Sequence, residues 1–502
     1  MVAVIVFLSG AATMALELAG SRLLAPSFGN SIAVWGALIG VILAALSLGY
    51  VAGGRLADRW PSWATLASVL AVASVYTALL PLLAPLATAG GAASRDPRWG
   101  ALLAAVNLFL VPSLALGAVS PIAMRMAAVS VERVGRTAGN LYGLSTAGSI
   151  VGTLATSFYL VPLLGIRSFF QWLAMGLWVL TLVALVQAVR RRSVPVARPG
   201  MWVWLVVVAA PLLVGFASAR QAQDTGLVYE ADSLYHHIRV REAGGIRYLH
   251  FDNSWQSALD LTRPEEPVFT YIRQMDVGLL FQPDPRRALF VGLGAGTAPE
   301  RYTRLLPELR AEVAELDPAV VDVARRFFGL EETERLQVTA VDGRQYVRRA
   351  QGPYDWVVLD AYYSDAIPFH LTTREFFQEV RSVLAPGGAV ISNVIGALEG
   401  PEAAFLASMV HTLESVFPQV YLFPAQGASA RMPQNVIVVA TLEEQRVGPE
   451  ELMSRARAIE EQGGPAGLTR STARLVDGME GVEEAPLLTD DRAPVEWLQR
   501  IS

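Results

Sequence analysis

The chain has no cysteine and no lysine, and only 17% of its 502 residues are charged. Without cysteine there is no disulfide, no thiolate metal site and no cysteine nucleophile, and the redox compartment leaves no mark on the sequence. Without lysine, all 40 basic residues are arginine. Together with the abundance of Ala, Gly and Pro, that reads as a genomic composition bias and not as a functional signal. The net charge of −5 gives no reason to invoke nucleic acid. What the chain has in excess is apolar residues, 53% of the total. They are not spread evenly: the first ~220 residues are almost continuously apolar, and the rest has ordinary globular composition.

Apolar runs of spanning length lie near 3–20, 32–53, 63–88, 100–124, 138–163, 168–189 and 201–217. Each approaches the ~20 residues that a bilayer requires, though the last is short and contains Pro211. The first lacks a basic n-region and is followed by further runs, so it is not read as a cleavable signal. Small residues recur inside the runs, as in Gly36, Gly40, Ala44 and Gly49, or Gly143, Ala147, Gly148 and Gly152, a spacing that permits close helix packing. Polar residues in such runs are costly and are therefore candidates for function. Glu17 is the clearest, with a structural ion pair to Arg22 or Arg125 as the competing reading. Asn107 and Asn140 are weaker cases. The loop Gly53-Gly54-Arg55-Leu56-Ala57-Asp58-Arg59 looks like the short charged loop of major-facilitator transporters and is read here as a charged turn that fixes topology. Nine arginines (Arg55, Arg59, Arg125, Arg133, Arg136, Arg190, Arg191, Arg192 and Arg198) follow the second, fourth and sixth runs, against four in the other loops. The positive-inside rule puts the richer set in the cytoplasm, which places the C-terminal part outside if all seven runs span. The cytoplasmic side is nonetheless the expectation adopted for it, on the ligand chemistry that its own motifs carry.

From about Leu227 the hydrophobic period changes. Residues 237–242 and 246–251 alternate across Gly244-Gly245, a β-hairpin signal. A helical pattern carrying Phe269, Ile272, Met275, Leu279 and Leu280 follows. Then Ala288–Val291 runs as a buried strand into Gly292-Leu293-Gly294-Ala295-Gly296, and a helix begins near Pro299. Beyond it strands are expected at 311–316, 336–341, 356–359, 389–394, 420–423 and 436–440, with helices at 319–328, 344–350, 373–384 and 402–417 between the earlier ones. The alternation is that of a doubly wound α/β sheet with a mainly parallel core.

In such sheets the ligand sits beyond the carboxyl ends of the strands. A strand, a glycine turn and a helix N-terminus make a site for a nucleotide-like ligand, although the motif alone is weak. Glu315 ends the second strand, about 20 residues after the glycines, where a carboxylate accepts from both ribose hydroxyls. Asp342 ends the third and is placed to accept from an adenine amino group; Asp360 ends the fourth and faces the reaction zone. For each acid alone a helix N-cap remains a competing role, and Asp317, followed by Pro318, is read as such a cap. The cluster Thr489-Asp490-Asp491-Arg492 either completes an amine pocket or caps a solvated tail, the second being favoured.

On these residues, the stretch 228–395 resembles the spermidine synthase family of aminopropyltransferases, and more widely the class I S-adenosylmethionine-dependent methyltransferase fold. Leu234-Tyr235-His236 stands where that family carries a Tyr-Gln pair, and Phe251-Asp252 through Gln256 looks like its Leu-Asp-Gly…Gln segment. Tyr271 matches the tyrosine of Tyr-His-Glu, Glu315-Leu316-Asp317 matches Glu-Ile-Asp, Asp342-Gly343 matches the adenine-side Asp-Gly, and Asp360 falls on the first aspartate of Asp-Ser-Ser-Asp-Pro. The N-terminal part is similar to the membrane half of fused transporter-like/spermidine synthases. The chain departs from the family at three places. Ala295 replaces the aspartate of the glycine turn, Ile272 replaces the histidine of Tyr-His-Glu, and the second loop aspartate is displaced by two positions to Asp365. Losing the acid at 295 weakens discrimination against ordinary S-adenosylmethionine.

The resemblance implies a multi-span helical membrane domain (1–219), a small β domain (220–265) and a Rossmann-like domain of methyltransferase type (266–502). It implies decarboxylated S-adenosylmethionine, or S-adenosylmethionine, as co-substrate without a metal, held by Gln256, Gly292, Gly294, Gly296, Glu315, Asp342 and Gly343. An amine acceptor would meet Tyr235, His236 and Asp360, with Asp360 as base and Asp365 and Tyr271 orienting the amine. The expected function is a membrane-bound aminopropyltransferase. The alternatives are a methyltransferase acting on a membrane-delivered acceptor, and a non-catalytic nucleoside-sensing domain on a transporter-like membrane domain. Partners expected are the amine, the lipid bilayer and a second copy in a homodimer; the expected location is the cell membrane.

Overall fold

The computed structural model describes residues 1–28, 32–92, 97–127, 134–191, 226–363, 366–427 and 429–498. They fall into two compact units. One comprises the chain up to Thr225 together with Ala231–His237; the other comprises Gly226–Glu230 and Ile238 onward.

The first unit is built of α1 (Val2–Phe28), α2 (Ile32–Arg59), α3 (Trp63–Ala92), α4 (Pro97–Ala127), α5 (Val134–Ala155), a five-residue π turn at Thr156–Leu160, α6 (Val161–Leu164) and α7 (Ile166–Arg190). Helix α2 packs on α4, α3 on α4 and α7, and α1 on α5. The α1/α5 seam depends on small residues: a Cβ on Gly148 would run into the Phe7 carbonyl, and one on Gly152 into that of Ala11. Such close backbone approach is how apolar helices associate where burial in lipid offers no net gain.

Among the described residues, five helices are long and apolar enough to cross a membrane: α1, α2, α3, α4 and α7. They match five of the seven expected runs. The run at 138–163 is helical, but Asn140, Ser145, Thr146 and Ser149 dilute its hydropathy and the π turn interrupts it. The run at 201–217 lies outside the described residues. The two arginines weighed as partners of Glu17 have other contacts. Arg22 donates to the carbonyls of Leu234 and Tyr235, and Arg125 lies 4.0 Å from Asp58.

The strands form two sheets. The smaller runs in the order β1 (Leu227–Asp232), β2 (His237–Ala243), β3 (Ile246–Phe251), β4 (Ser254–Asp260). The hairpin signal marked only its middle pair, because β1 and β4 alternate weakly. Ile238, Val240, Leu249 and Phe251 point to one face and pack on Val320, Val323 and Phe328 of the helix Pro318–Phe327 and its end.

The larger sheet has seven strands in the order β10-β11-β9-β8-β5-β6-β7. These are β5 (Arg287–Val291), β6 (Arg310–Glu315), β7 (Leu336–Ala340), β8 (Tyr354–Leu359), β9 (Leu384–Gly396), β10 (Gln419–Pro424) and β11 (Gln434–Thr441). Strands β5 to β9 are parallel, and β11 and β10 add antiparallel at one side. Period-two alternation sorts the side chains. Leu289, Val291, Val357, Val390 and Val438 join Phe376, Phe377 and Leu406 on one face. Phe290, Val313, Trp356, Ile391 and Ile437 join Met275, Tyr302 and Leu452 on the other. Pro386-Gly387-Gly388, expected to separate helix from strand, lies inside β9, where pairing with β8 shifts register between Tyr354 and Trp356. The helix expected over 269–280 is a short α-turn (Thr270–Gln274) followed by a 3₁₀ segment (Met275–Leu280).

Candidate active site

The parallel strands β5, β6, β7 and β8 all end on the same edge, and the turns that leave them carry the polar residues. The first is the glycine turn after β5. The Gly292 N–H donates to the Ala314 carbonyl at 2.9 Å, and the Asp360 N–H donates to the Val291 carbonyl at 2.9 Å. A Cβ at Gly292, whose φ is +99°, would collide with the Asp360 carbonyl. Glycine is therefore required for β8 to deliver Asp360 beside this turn. Gly296 takes a left-handed conformation (φ +84°) and opens the helix Thr297–Leu305. Strand β4 flanks the turn: the Ser257 Cβ and the Gln256 carbonyl oxygen are the atoms nearest to where a Gly294 Cβ would stand, at 3.8 and 4.0 Å.

Glu315, at the end of β6, spans the turn and the next helix. Its Oε2 accepts from the Leu293 N–H at 3.0 Å and its Oε1 from the Asp317 N–H at 2.9 Å. The side chain is buried. Burial pushes its carboxyl up to about 7 against the opposing pull of those N–H groups. Asp317 caps the helix Pro318–Phe327, accepting from the Ala319 N–H at 2.9 Å. Asp342 also caps a helix, Gly343–Arg349, accepting from the Gln345 N–H at 2.9 Å through Oδ1. Its Oδ2 meets His370 Nε2 at 2.9 Å, and that hydrogen bond holds the Asp342 carboxyl below the usual range. Both carboxylate oxygens are engaged on a half-buried side chain, and each keeps a further lone pair, so the cap and the acceptor readings of Asp342 do not exclude each other.

Asp360 is the centre of a polar network at the end of β8. Its Oδ2 accepts from the Tyr271 hydroxyl at 3.1 Å and its Oδ1 from Asn393 Nδ2 at 2.8 Å. Asn393 Oδ1 in turn accepts from Asn435 Nδ2 at 3.0 Å. The Tyr362 hydroxyl donates to the Asn393 carbonyl at 2.9 Å and accepts from the Ile395 N–H at 3.0 Å. Burial raises the Asp360 carboxyl above the usual carboxylate range, against the pull of its two donors. Burial and the Asp360 charge push the Tyr271 and Tyr362 phenols well up, so both stay protonated donors.

The structure thus brings Tyr271 to Asp360, Gln256 to the glycine turn, and the turn to Glu315. Asp365 lies outside the described residues. Tyr235 and His236 lie in the 231–237 segment that belongs with the helical unit. The Tyr235 carbonyl accepts from Arg22 at 2.8 Å, and burial next to that arginine lowers the buried His236 imidazole to about 3. Ala295 is 2% exposed, inside the apolar cluster of Ile238, Val240 and Val320. Asn393, Asn435 and Tyr362 were not anticipated. Asn393 had a readable signal, standing with Ser392 as the polar pair near the carboxyl end of the apolar strand Ala389–Val394; Asn435 and Tyr362 had none. The acidic cluster at 489–492 is no solvated tail: Asp490 is ion-paired at 2.7 Å with the buried Arg344.

Residues 271–428 match the spermine/spermidine synthase domain family. The polyamine aminopropyltransferase of Vibrio vulnificus is 29% identical over 306 residues, 59% of this chain and 98% of that protein. The polyamine aminopropyltransferase of Chromobacterium violaceum is 34% identical over 158 residues, 31% of this chain and 60% of that protein. The eEF1A lysine and N-terminal methyltransferase of Homo sapiens is 29% identical over 189 residues, 35% of this chain and 26% of that protein. The domain match spans the glycine turn, Glu315, Asp342, Asp360 and Asn393, and over this part the chain is similar to spermidine synthases.

Proposed function

We propose that this spermidine synthase-like transferase moves an aminopropyl group from decarboxylated S-adenosylmethionine to an amine, with Asp360 as the base. The observation that carries the proposal is the Asp360 carboxylate, held by Tyr271 and Asn393 beside the glycine turn and raised by burial toward the range in which a carboxylate takes up a proton.

The residues fit a nucleoside donor. The turn exposes backbone at Gly292 and Gly294. Glu315, already bound to Leu293 and Asp317, retains lone pairs for a ribose diol. Asp342 offers an acceptor edge to an amino group. A sulfonium donor supplies a carbon already activated for displacement. The acceptor nitrogen attacks the propyl carbon bonded to sulfur, the C–S bond breaks with its electron pair on sulfur to leave methylthioadenosine, and the nitrogen proton passes to Asp360. The protein's part is positioning, charge and proton removal. Tyr271 and Asn393 hold both carboxylate oxygens, so the base is oriented before the amine arrives.

In this reading the protein is a membrane-bound homodimer with its transferase domain on the cytoplasmic side and a small amine as partner, and what supports the membrane part is the five helices long and apolar enough to cross a bilayer. A second reading, methyl transfer from S-adenosylmethionine, is favoured by one comparison, the likeness to the eEF1A lysine and N-terminal methyltransferase of Homo sapiens. Offering each donor with a panel of amines separates the two. Methylthioadenosine as product supports aminopropyl transfer, and S-adenosylhomocysteine alone sinks it. Neither product, with nucleoside binding intact, turns the reading toward a sensing domain.

A further inference from the structure

Arg344 is 6% exposed and sits one residue beyond the Asp342-Gly343 turn. Glu379 takes one edge of its guanidinium, at 2.9 Å to Nε and 2.8 Å to Nη2. Asp490, from the C-terminal acidic cluster, takes the other, at 2.7 Å to Nη1 and 2.8 Å to Nη2. Nη1 also donates to the His370 carbonyl at 3.2 Å. Thr373 Oγ1 donates to Asp490 Oδ1 at 2.7 Å. One buried cation therefore ties together the turn after β7, the 3₁₀ turn Phe369–Leu371, the helix Arg374–Val383 and the C-terminal segment. Paired bidentate carboxylates give this clasp directional rigidity that a solvated tail lacks.

The clasp ends at the candidate ligand edge. The His370 ring, whose backbone Arg344 holds, meets Asp342 Oδ2 at 2.9 Å, while Asp342 Oδ1 is bound to the Gln345 N–H. A carboxylate gripped at both oxygens has its plane set, and each oxygen keeps a lone pair for a further donor. We propose that His370 is a positioning residue for purine recognition: it orients Asp342 to accept an exocyclic amino group, and Asp490 acts behind it by fixing Arg344. This rests on the reading above that an adenosine-type donor occupies the strand ends.

The test is calorimetric binding of methylthioadenosine and methylthioinosine to the full chain in detergent. The second ligand carries a carbonyl oxygen where the first carries the amino group. Wild type is expected to prefer the adenine form. His370→Ala should weaken methylthioadenosine binding about tenfold, the scale of one hydrogen bond to a charged group, and should flatten the preference between the two bases. His370→Gln, which retains an N–H donor, should restore part of that preference, a recovery that a merely structural role does not predict. Asp490→Asn should act in the same direction as His370→Ala and supplies the test if His370→Ala loses its cooperative unfolding transition. Unchanged affinity and unchanged preference in both variants overturn the role of His370 while leaving the proposed function standing. A wild-type chain that binds neither thioether is the distinct failure, and it overturns the proposed function as well.

Discussion

The Tyr271 hydroxyl donates to Asp360 Oδ2 across 89 residues of sequence, at 3.1 Å. Tyr271 stands in the short helical turn before β5 and Asp360 at the end of β8, so the bond exists only because the sheet places β8 beside β5. With burial pushing the phenol well up, Tyr271 acts as donor throughout the working pH range. Tyr271→Phe removes one of two donors to the carboxylate and leaves Asn393 in place. The expected outcome is a fall in kcat of roughly tenfold, with donor KM changed less, read from steady-state kinetics. The Asp360 carboxyl should rise further, shifting the acid limb of the kcat profile to higher pH. An unmoved acid limb would contradict the assignment of Asp360 as base.

Glu315 carries a signed pH dependence. Its carboxyl lies at about 7 when folded, against an ordinary 4.5. Below the lower value it is protonated whether the chain is folded or not. Between the two values it stays neutral folded and ionises unfolded, so this group's contribution to stability falls as pH rises through that window. An ionised carboxylate accepts better from a ribose diol, so nucleoside affinity should rise as pH passes about 7. Glu315→Gln should remove this group's share of both trends. It should also weaken binding, because its amide nitrogen must face either the Leu293 or the Asp317 N–H. Thermal midpoints and calorimetric affinities on either side of neutral pH check both.

Ala295 was expected to mark the choice of donor through the acid it lacks. Its side chain lies in the apolar cluster instead. Restoring aspartate there should bury a carboxylate among Ile238, Val240 and Val320, at a cost of roughly 2 kcal/mol or more. Ala295→Asp should therefore lower the thermal midpoint of the second unit. An unchanged midpoint with sharper preference for the decarboxylated donor would place the side chain at the ligand.

The helical unit has its own test. Gly148→Leu must push α5 away from the Phe7 carbonyl on α1, an overpacking cost of about 1–3 kcal/mol. The detergent-solubilised variant should unfold at lower temperature than wild type. Gly143→Leu, at a glycine where an added Cβ meets nothing within 4 Å, serves as the matched control.

Much of the site was legible because strand ends, glycine turns and helix starts leave local marks. Glu315, Asp342 and Asp360 each close an apolar run, and Asp317 precedes Pro318 in the manner of an N-cap. What escaped was long-range. Asn393 and Asn435 meet because β11 returns antiparallel beside β9, a pairing that no local pattern encodes. Asp490 finds Arg344 across 146 residues, so its acidic neighbourhood reads as a tail until the fold closes. Strands β1 and β4 were obscured by weak alternation, and the π turn Thr156–Leu160 that divides the run at 138–163 leaves no mark in the apolar pattern.

The most direct measurement is the thioether released when the full chain, in detergent, is given decarboxylated S-adenosylmethionine and an amine. The account predicts methylthioadenosine from wild type, and loss of that product in Asp360→Asn while calorimetric binding of methylthioadenosine persists. Methylthioadenosine formed undiminished by Asp360→Asn, or S-adenosylhomocysteine as the only product when both donors are offered, would contradict it.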